Sequence, residues 1–216
     1  MTTNDHAVHK EDHKAQLKLK MKKLPRSFYL RPTLTVAKEL LGKYLIRKIN
    51  NQYLVGKIVE VEAYLGEKDP ASHAYRGRTK RNDVMFWEGG HLYVYFTYGM
   101  HFCANIVTEE SGKGRAVLIR AVEPISGIEI MKKNRKFKFV NDKIINLTNG
   151  PAKLCEAFEL KREQNGRDLC NDEIFIANGE NILKSNIIAS TRIGIKNGTE
   201  KRWRFFIKDN PWVSKK

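Results

Sequence analysis

Apolar and polar positions alternate most strongly along YLVGKIVEVEAYL, residues 53–65. On a strand, Val59, Val61, Ala63 and Leu65 share one face, while Ile58, Glu60, Glu62 and Tyr64 share the other. The first face is predicted to look into the core and the second to be a solvent-exposed sheet face whose glutamates keep it soluble. Upstream, PTLTVAKELLGKYLIRKI (32–49) predicts a short helix capped by Thr33 or Thr35, stopped at Gly42 and running into a strand. HLYVYFTYGMHFCANIV (91–107) predicts two aromatic-rich strands broken at Tyr98-Gly99-Met100, a β-hairpin. RAVLIRAVEP (115–124) reads as another strand.

Two more helices carry start signals. SGIEIMKKNRK opens with a capping box of Ser126 and Glu129, and NGPAKLCEAFEL offers Asn149 as cap, Pro151 at the first turn and Leu154, Cys155 and Phe158 on one side. Short strands follow at EIFIA, STRIGI and RWRFFI, the last two separated by a turn-rich loop with Asn197-Gly198. Strands dominate and helices are inserted among them, without regular β-α alternation, a G-x-G-x-x-G or Walker pattern, or a fixed-period repeat. The expected fold class is α+β, a single domain of mostly antiparallel strands with inserted helices and a protruding hairpin.

Charge adds a class of partner. The 216 residues hold 40 Lys and Arg against 24 Asp and Glu, a formal +16, and such a field attracts polyanions. Residues 1–26 carry seven basic and three acidic residues, so +12 remains on residues 27–216 and the folded part is itself cationic. The first segment is expected to be a disordered basic arm (1–26), with the functional domain at 27–216. No apolar run approaches the roughly 18 residues of a membrane helix, and no apolar signal-peptide core follows the N-terminus, so a soluble cytoplasmic protein, nucleoid-associated in a bacterium, is expected, with a single-domain monomer as the default. Cys103, Cys155 and Cys170 form no C-x-x-C pair, so neither disulfides nor a zinc site is indicated. His6, His9 and His13 read as solvated residues of a lysine-rich terminus rather than metal ligands.

Carboxylates oppose binding of a polyanion unless they have a task of their own. Glu62 suits a general base that activates water. Tyr93, Tyr95, Phe96, Tyr98 and Phe102 lie close together; they read either as hairpin core or as surfaces for stacking on bases. Tyr98, at the hairpin tip, is placed to wedge between base pairs, and an enzyme that extrudes a duplex base needs such a plug. RGRTKR (76–81), with Arg76, Arg78, Lys80 and Arg81, offers phosphate contacts or a plain solvated loop, and the helix start at Gly150-Pro151 is a further phosphate candidate.

Five blocks, VEVEAYLGEKDPASH, MFWEGGHLYVYFTYGMHFCANI, VLIRAVEPISGIEIM, NGPAKLCEAF and NPWVS, make the chain from Ser27 to Ser214 resemble the alkyladenine (3-methyladenine) DNA glycosylases. That resemblance implies a barrel-like sheet similar to the C-terminal domain of formyltransferases. It also implies hydrolysis of the N-glycosidic bond of a damaged purine in double-stranded DNA (3-methyladenine, with 7-methylguanine, hypoxanthine and ethenoadenine as further substrates), without metal or organic cofactor and without strand nicking. By position, Glu62 then corresponds to the general base, Tyr64, His73 and Tyr95 to residues around the flipped base, Tyr98 to the intercalating tyrosine, Asn105 to the pocket asparagine and Arg120 to an arginine that holds the reacting nucleotide. TKRN departs from the family's Thr-Pro-Arg-Asn at Lys80, which predicts a less rigid loop with one more phosphate contact. A non-catalytic nucleic-acid-binding module of the same fold is the rival reading; it predicts binding indifferent to Glu62.

Overall fold

The computed structural model describes residues 22–136 and 143–215. Residues 1–21 of the expected arm, with His6, His9 and His13, lie outside the described residues, whereas the chain just after them belongs to the fold. Lys23 bridges Ala177, Leu24 is buried and its N–H bonds the Ile176 carbonyl, and Arg26 pairs with Asp168.

The elements are α1 (Arg26–Tyr29), α2 (Thr33–Leu40), β1 (Tyr44–Ile49), β2 (Gln52–Leu65), β3 (Leu92–Thr97), β4 (His101–Thr108), β5 (Arg115–Ser126), α3 (Ile128–Asn134), α4 (Pro151–Ala157), β6 (Ile174–Ala177), β7 (Ile187–Ser190) and β8 (Arg204–Ile207). The expected α+β architecture is present: every named strand pair is antiparallel, in the order β3-β4-β5-β2-β1-β6. Strand β2 is the axis of the sheet. From Val55 to Leu65 it pairs with β5 on one side, while on the other β1 takes its first half and β8 takes Glu60 to Glu62. The end strands β3 and β6 are not paired with each other, so the sheet is open.

Local signals explain the short helices. Helix α2 buries Val36, Ala37 and Leu40 against the sheet, and Gly42 follows its end at φ +83°, where a Cβ would stand 2.5 Å from the Glu180 carbonyl. Only glycine meets both demands there. Pro32 occupies the cap position expected for Thr33 or Thr35, and the Thr33 hydroxyl instead joins Thr108 and Glu109. The Ser126 capping box does not form: Ser126 ends β5, left-handed Gly127 starts α3, and Glu129 pairs with Lys132. Gly150 rather than Asn149 precedes Pro151 at the start of α4. STRIGI is not a strand; β7 ends at Ser190, and residues 191–195 run as irregular chain over the sheet.

That irregular chain overturns the expected solvent-exposed face. Residues Ile58 to Ala63 of β2 are all buried, with Glu60 and Glu62 at 0% exposure. β8, the 191–203 segment and the C-terminal turn around Ser214 cover the carboxylate side, as their bonds to Glu60 and Glu62 show.

Candidate active site

Burying two carboxylates on neighbouring same-face positions requires compensation by charge and hydrogen bonds. A register irregularity supplies the first part. Ile119 faces Val61 and Ala121 faces Glu60, so Arg120 between them is the extra residue of a β-bulge, a feature that re-aims a side chain. Its Nε donates to Glu60 Oε1 at 2.9 Å, and its Nη1 lies 3.1 Å from Glu62 Oε1. Burial opposes the charge on Arg120, but Glu62 and then Glu60 outweigh it and hold its pKa above the ordinary guanidinium value.

The two glutamates then diverge. Glu60 also accepts from Arg204 Nε at 2.7 Å and from the Ser214 N–H and hydroxyl at 2.6 and 2.9 Å, so it fastens β8 and the C-terminal turn to β2. Glu62 accepts from the Tyr64 hydroxyl at 2.8 Å on Oε2 and from the Ile193 N–H at 2.8 Å on Oε1. An ionised carboxylate offers about four lone-pair sites, so these two donors and Arg120 leave one.

In front of Glu62 lies a cavity of about 450 Å³. Tyr64 and Arg120, two of the groups that hold Glu62, line it, together with His73, Tyr93, Tyr95, Tyr98 and Asn105. Tyr64, His73, Tyr95, Tyr98, Asn105 and Arg120, all named from the sequence, thus line one cavity, whereas Glu62 is not among its lining residues and sits one layer behind the wall. His73 stands edge-on to Tyr95 at 4.5 Å between ring centres, its Nδ1 is 3.1 Å from the Tyr93 hydroxyl, and Tyr93 and Tyr95 lie 5.4 Å apart. Desolvation against these rings, and then the charge of Arg81, push the His73 pKa below the ordinary imidazole value. Burial likewise pushes Tyr93 up to about 12 and raises Tyr64 and Tyr95 further. At neutral pH the cavity therefore presents an uncharged imidazole and protonated phenols. Asn105 Nδ2 donates to the Tyr93 carbonyl at 3.2 Å, which fixes the amide orientation at the cavity wall.

His73 is carried by a loop without regular strands, and Asn82 organises it. The Asn82 Nδ2 bonds the carbonyls of His73 and Gly77, and its Oδ1 accepts from the Thr79 N–H. The turn containing Lys80 is thus closed by Asn82. Arg76, Arg78, Lys80 and Arg81 are all exposed; Arg78 pairs with Asp83 and Arg81 donates to the Phe96 carbonyl, whereas Arg76 and Lys80 have no acidic partner among the described residues. Tyr98 is 82% exposed at the hairpin tip. Tyr98 and Gly99 have φ of +52° and +68°, and the Met100 N–H closes the turn on the Thr97 carbonyl. Left-handed residues in such a turn match the twist of the flanking strands.

Ile193, Arg204 and Ser214 hold the two glutamates, Arg192 holds Asp69 and the Ala63 carbonyl beside them, and sequence reasoning assigned none of the four a role. Their contacts span more than 120 residues of chain, and no local pattern marks them. Among the described residues no group of three or more His, Cys, Asp or Glu clusters as metal ligands, and no helix is long and apolar enough to cross a membrane.

The site thus combines a buried carboxylate behind an aromatic cavity with an exposed tyrosine at a hairpin tip and exposed basic side chains. The chain belongs to the methylpurine-DNA glycosylase family, whose model matches residues 27–211. Similar proteins, each named "Putative 3-methyladenine DNA glycosylase", occur in Carboxydothermus hydrogenoformans (51% identical, over 89% of this chain and 99% of that protein), Prosthecochloris aestuarii (50%, over 90% and 92%) and Clostridium acetobutylicum (49%, over 89% and 97%).

Proposed function

We propose that this chain extrudes alkylated purines, 3-methyladenine first among them, from duplex DNA into the cavity and hydrolyses the N-glycosidic bond with a water activated by Glu62. The observation that carries this reading is a fully buried carboxylate whose hydrogen-bond donor Tyr64 and ion-pair partner Arg120 line a cavity walled by aromatic rings.

Water fits the fourth lone-pair site of Glu62. It passes a proton to the carboxylate as its oxygen bonds C1′, and the electron pair of the C1′–N bond leaves with the base. A purine alkylated at N3 or N7 is cationic and departs neutral, so no acid is needed. The carboxylate also stabilises the positive charge that develops on the sugar. Tyrosine faces bind a cationic ring by stacking and cation–π attraction, and a neutral His73 beside them adds no repulsion. A His73 that is neutral at pH 7 serves as a hydrogen-bond partner for the base rather than as a stored acid. Asn105, held by the Tyr93 carbonyl, presents a fixed amide against which the base edge is read.

Tyr98 fills the gap left in the stack, and the exposed Arg76 and Lys80 of the loop that carries His73, with Lys196 at the cavity, meet phosphates. Strand nicking would require an amine nucleophile forming a Schiff base. Lys196 is the lysine among the cavity-lining residues. We read this exposed lysine as a phosphate contact rather than a nucleophile at C1′, so borohydride is expected to trap no protein–DNA adduct. The test of the reading is release of free 3-methyladenine from methylated duplex DNA in EDTA with one abasic site formed per base. Tight binding of that DNA without release would instead support a binding module.

A further inference from the structure

Arg192 is the one buried residue of the irregular 191–203 segment that covers Glu62. Arg192 is fully enclosed with Asp69, to whose two oxygens it forks, with Nη2 at 2.7 Å from Oδ1. Nη1 also donates to the Ala63 carbonyl at 3.0 Å. The guanidinium carbon lies 4.8 Å from the centre of the Tyr64 ring and 5.2 Å from that of Trp203. Asp69 uses its remaining acceptor capacity on the N–H groups of Leu65 and Ala71, closing the turn that leads into Pro70, Ala71 and His73 of the cavity wall.

Both uncharged donors to Glu62 depend on this cation. Tyr64, which donates to Oε2, has its ring packed against the Arg192 guanidinium, and Ile193, which donates to Oε1, is the next residue in the chain. Arg192 is absent from the cavity lining, so it does not meet a base or sugar placed there. A buried ion pair is a poor source of stability compared with apolar packing, and its best-attested use is to fix one geometry. Arginine is the residue that can fork to a carboxylate, reach a carbonyl and stack on an aromatic face together; lysine cannot.

Resting on the reading of Glu62 as base, we infer that Arg192, oriented by Asp69, is a positioning residue for base excision. It holds the Tyr64 ring and the Ile193 amide so that both bonds to Glu62 persist and its remaining lone pair points at the attacking water. The clamp also ties the His73 loop to the segment over Glu62, so base sandwich and base catalyst share one anchor.

The experiment compares wild type, Arg192→Lys, Tyr64→Phe and the double variant in single-turnover base release from methylated duplex DNA, with the Kd for undamaged duplex and thermal unfolding measured alongside. Misplacement of a reacting group by about 1 Å costs on the order of 100-fold in rate, so Arg192→Lys is expected to slow release by about 10- to 100-fold while the Kd changes less than about threefold. Because Arg192 acts partly through the Tyr64 hydroxyl, the double variant is expected to be slower than the slower single variant by no more than about threefold. Should Arg192→Lys not fold, Asp69→Asn, which keeps the volume and loses the charged fork, takes its place in the same comparison. Rate losses that multiply, or an Arg192→Lys rate within about twofold of wild type, overturn the inference. Absence of release by wild type overturns the glycosylase reading and this inference with it, whereas an active wild type with multiplying losses overturns this inference alone.

Discussion

Glu60→Gln separates the structural carboxylate from its neighbour two positions along. Glu60 is fully buried and accepts from two guanidiniums that are themselves 8% and 5% exposed at the side chain, Arg120 and Arg204. Arg120 keeps Glu62 as counter-charge, but Arg204 has no other carboxylate among the described residues. Removing one partner of a buried pair costs about 3–5 kcal/mol. The glutamine oxygen still accepts one or two of the four bonds, which places the cost at the low end, about 3 kcal/mol. For a chain of this size each kcal/mol moves the Tm by about 2–4 °C, so the variant is expected to unfold about 6–12 °C below wild type by circular dichroism. Glu62→Gln leaves both guanidiniums with Glu60 and is expected to lower the Tm by less. A Glu60→Gln Tm within about 2 °C of wild type, or a larger fall for Glu62→Gln, would refute this division of labour.

Three further outcomes are expected. Tyr98→Ala removes an exposed ring, so it should change stability by less than about 0.5 kcal/mol. The stacking it loses, about 1–3 kcal/mol, should weaken binding of lesion-containing duplex by about 5- to 150-fold, read by titration with fluorescent DNA; unchanged affinity would remove Tyr98 from the role of plug. If about six phosphates are neutralised, log affinity should fall with log salt at a slope near −5, and a slope near zero would contradict a basic DNA-binding surface. Glu109 carries the pH dependence that the ion pairs predict: burial works against its charge, but Arg115 and Thr33 outweigh it and hold the carboxyl below its ordinary value of 4.5. The unfolded chain therefore binds the proton first as pH falls, and the stability Glu109 supplies is present above about 4.5 and lost as pH falls through the lower folded value. Urea unfolding should show Glu109→Gln less stable than wild type at pH 7 by about 1–3 kcal/mol, with the gap closing as pH falls through the lowered carboxyl pKa; a constant gap would contradict the assignment.

The strands of highest alternation were legible because they depend on period-2 patterning, and β2, the β3–β4 hairpin and β5 stand where that pattern put them. The tip at Tyr98-Gly99 was legible for the same reason, since glycine after a run of strand formers marks a turn. The environment of Glu60 and Glu62 was not. A strand reading sees two carboxylates on one face and assigns water to that face, because the cover arrives from residues 191–215, whose glycine, asparagine and basic residues carry no apolar period. Arg192 and Arg204 look like two more charges in a cationic chain until tertiary contacts give each a buried acid. The resemblance named Tyr64, His73, Tyr95, Tyr98, Asn105 and Arg120, which line one cavity in front of Glu62; it did not reveal the backbone and tertiary contacts that keep Glu62 in place. The caps at Ser126 and Asn149 failed for a local reason: in each case the following glycine takes the special backbone conformation at the turn into the helix.

The central claim is that Glu62 activates the water that breaks the glycosidic bond. The most direct measurement is chromatographic release of free bases from methylated duplex DNA in EDTA, comparing wild type with Glu62→Gln at saturating protein. Loss of a general base costs about 100- to 10,000-fold, so release of 3-methyladenine by wild type, with Glu62→Gln slower by at least about 100-fold at unchanged DNA affinity, is the predicted result. Equal release by both proteins would contradict it, and would move the chemistry away from the buried carboxylate altogether.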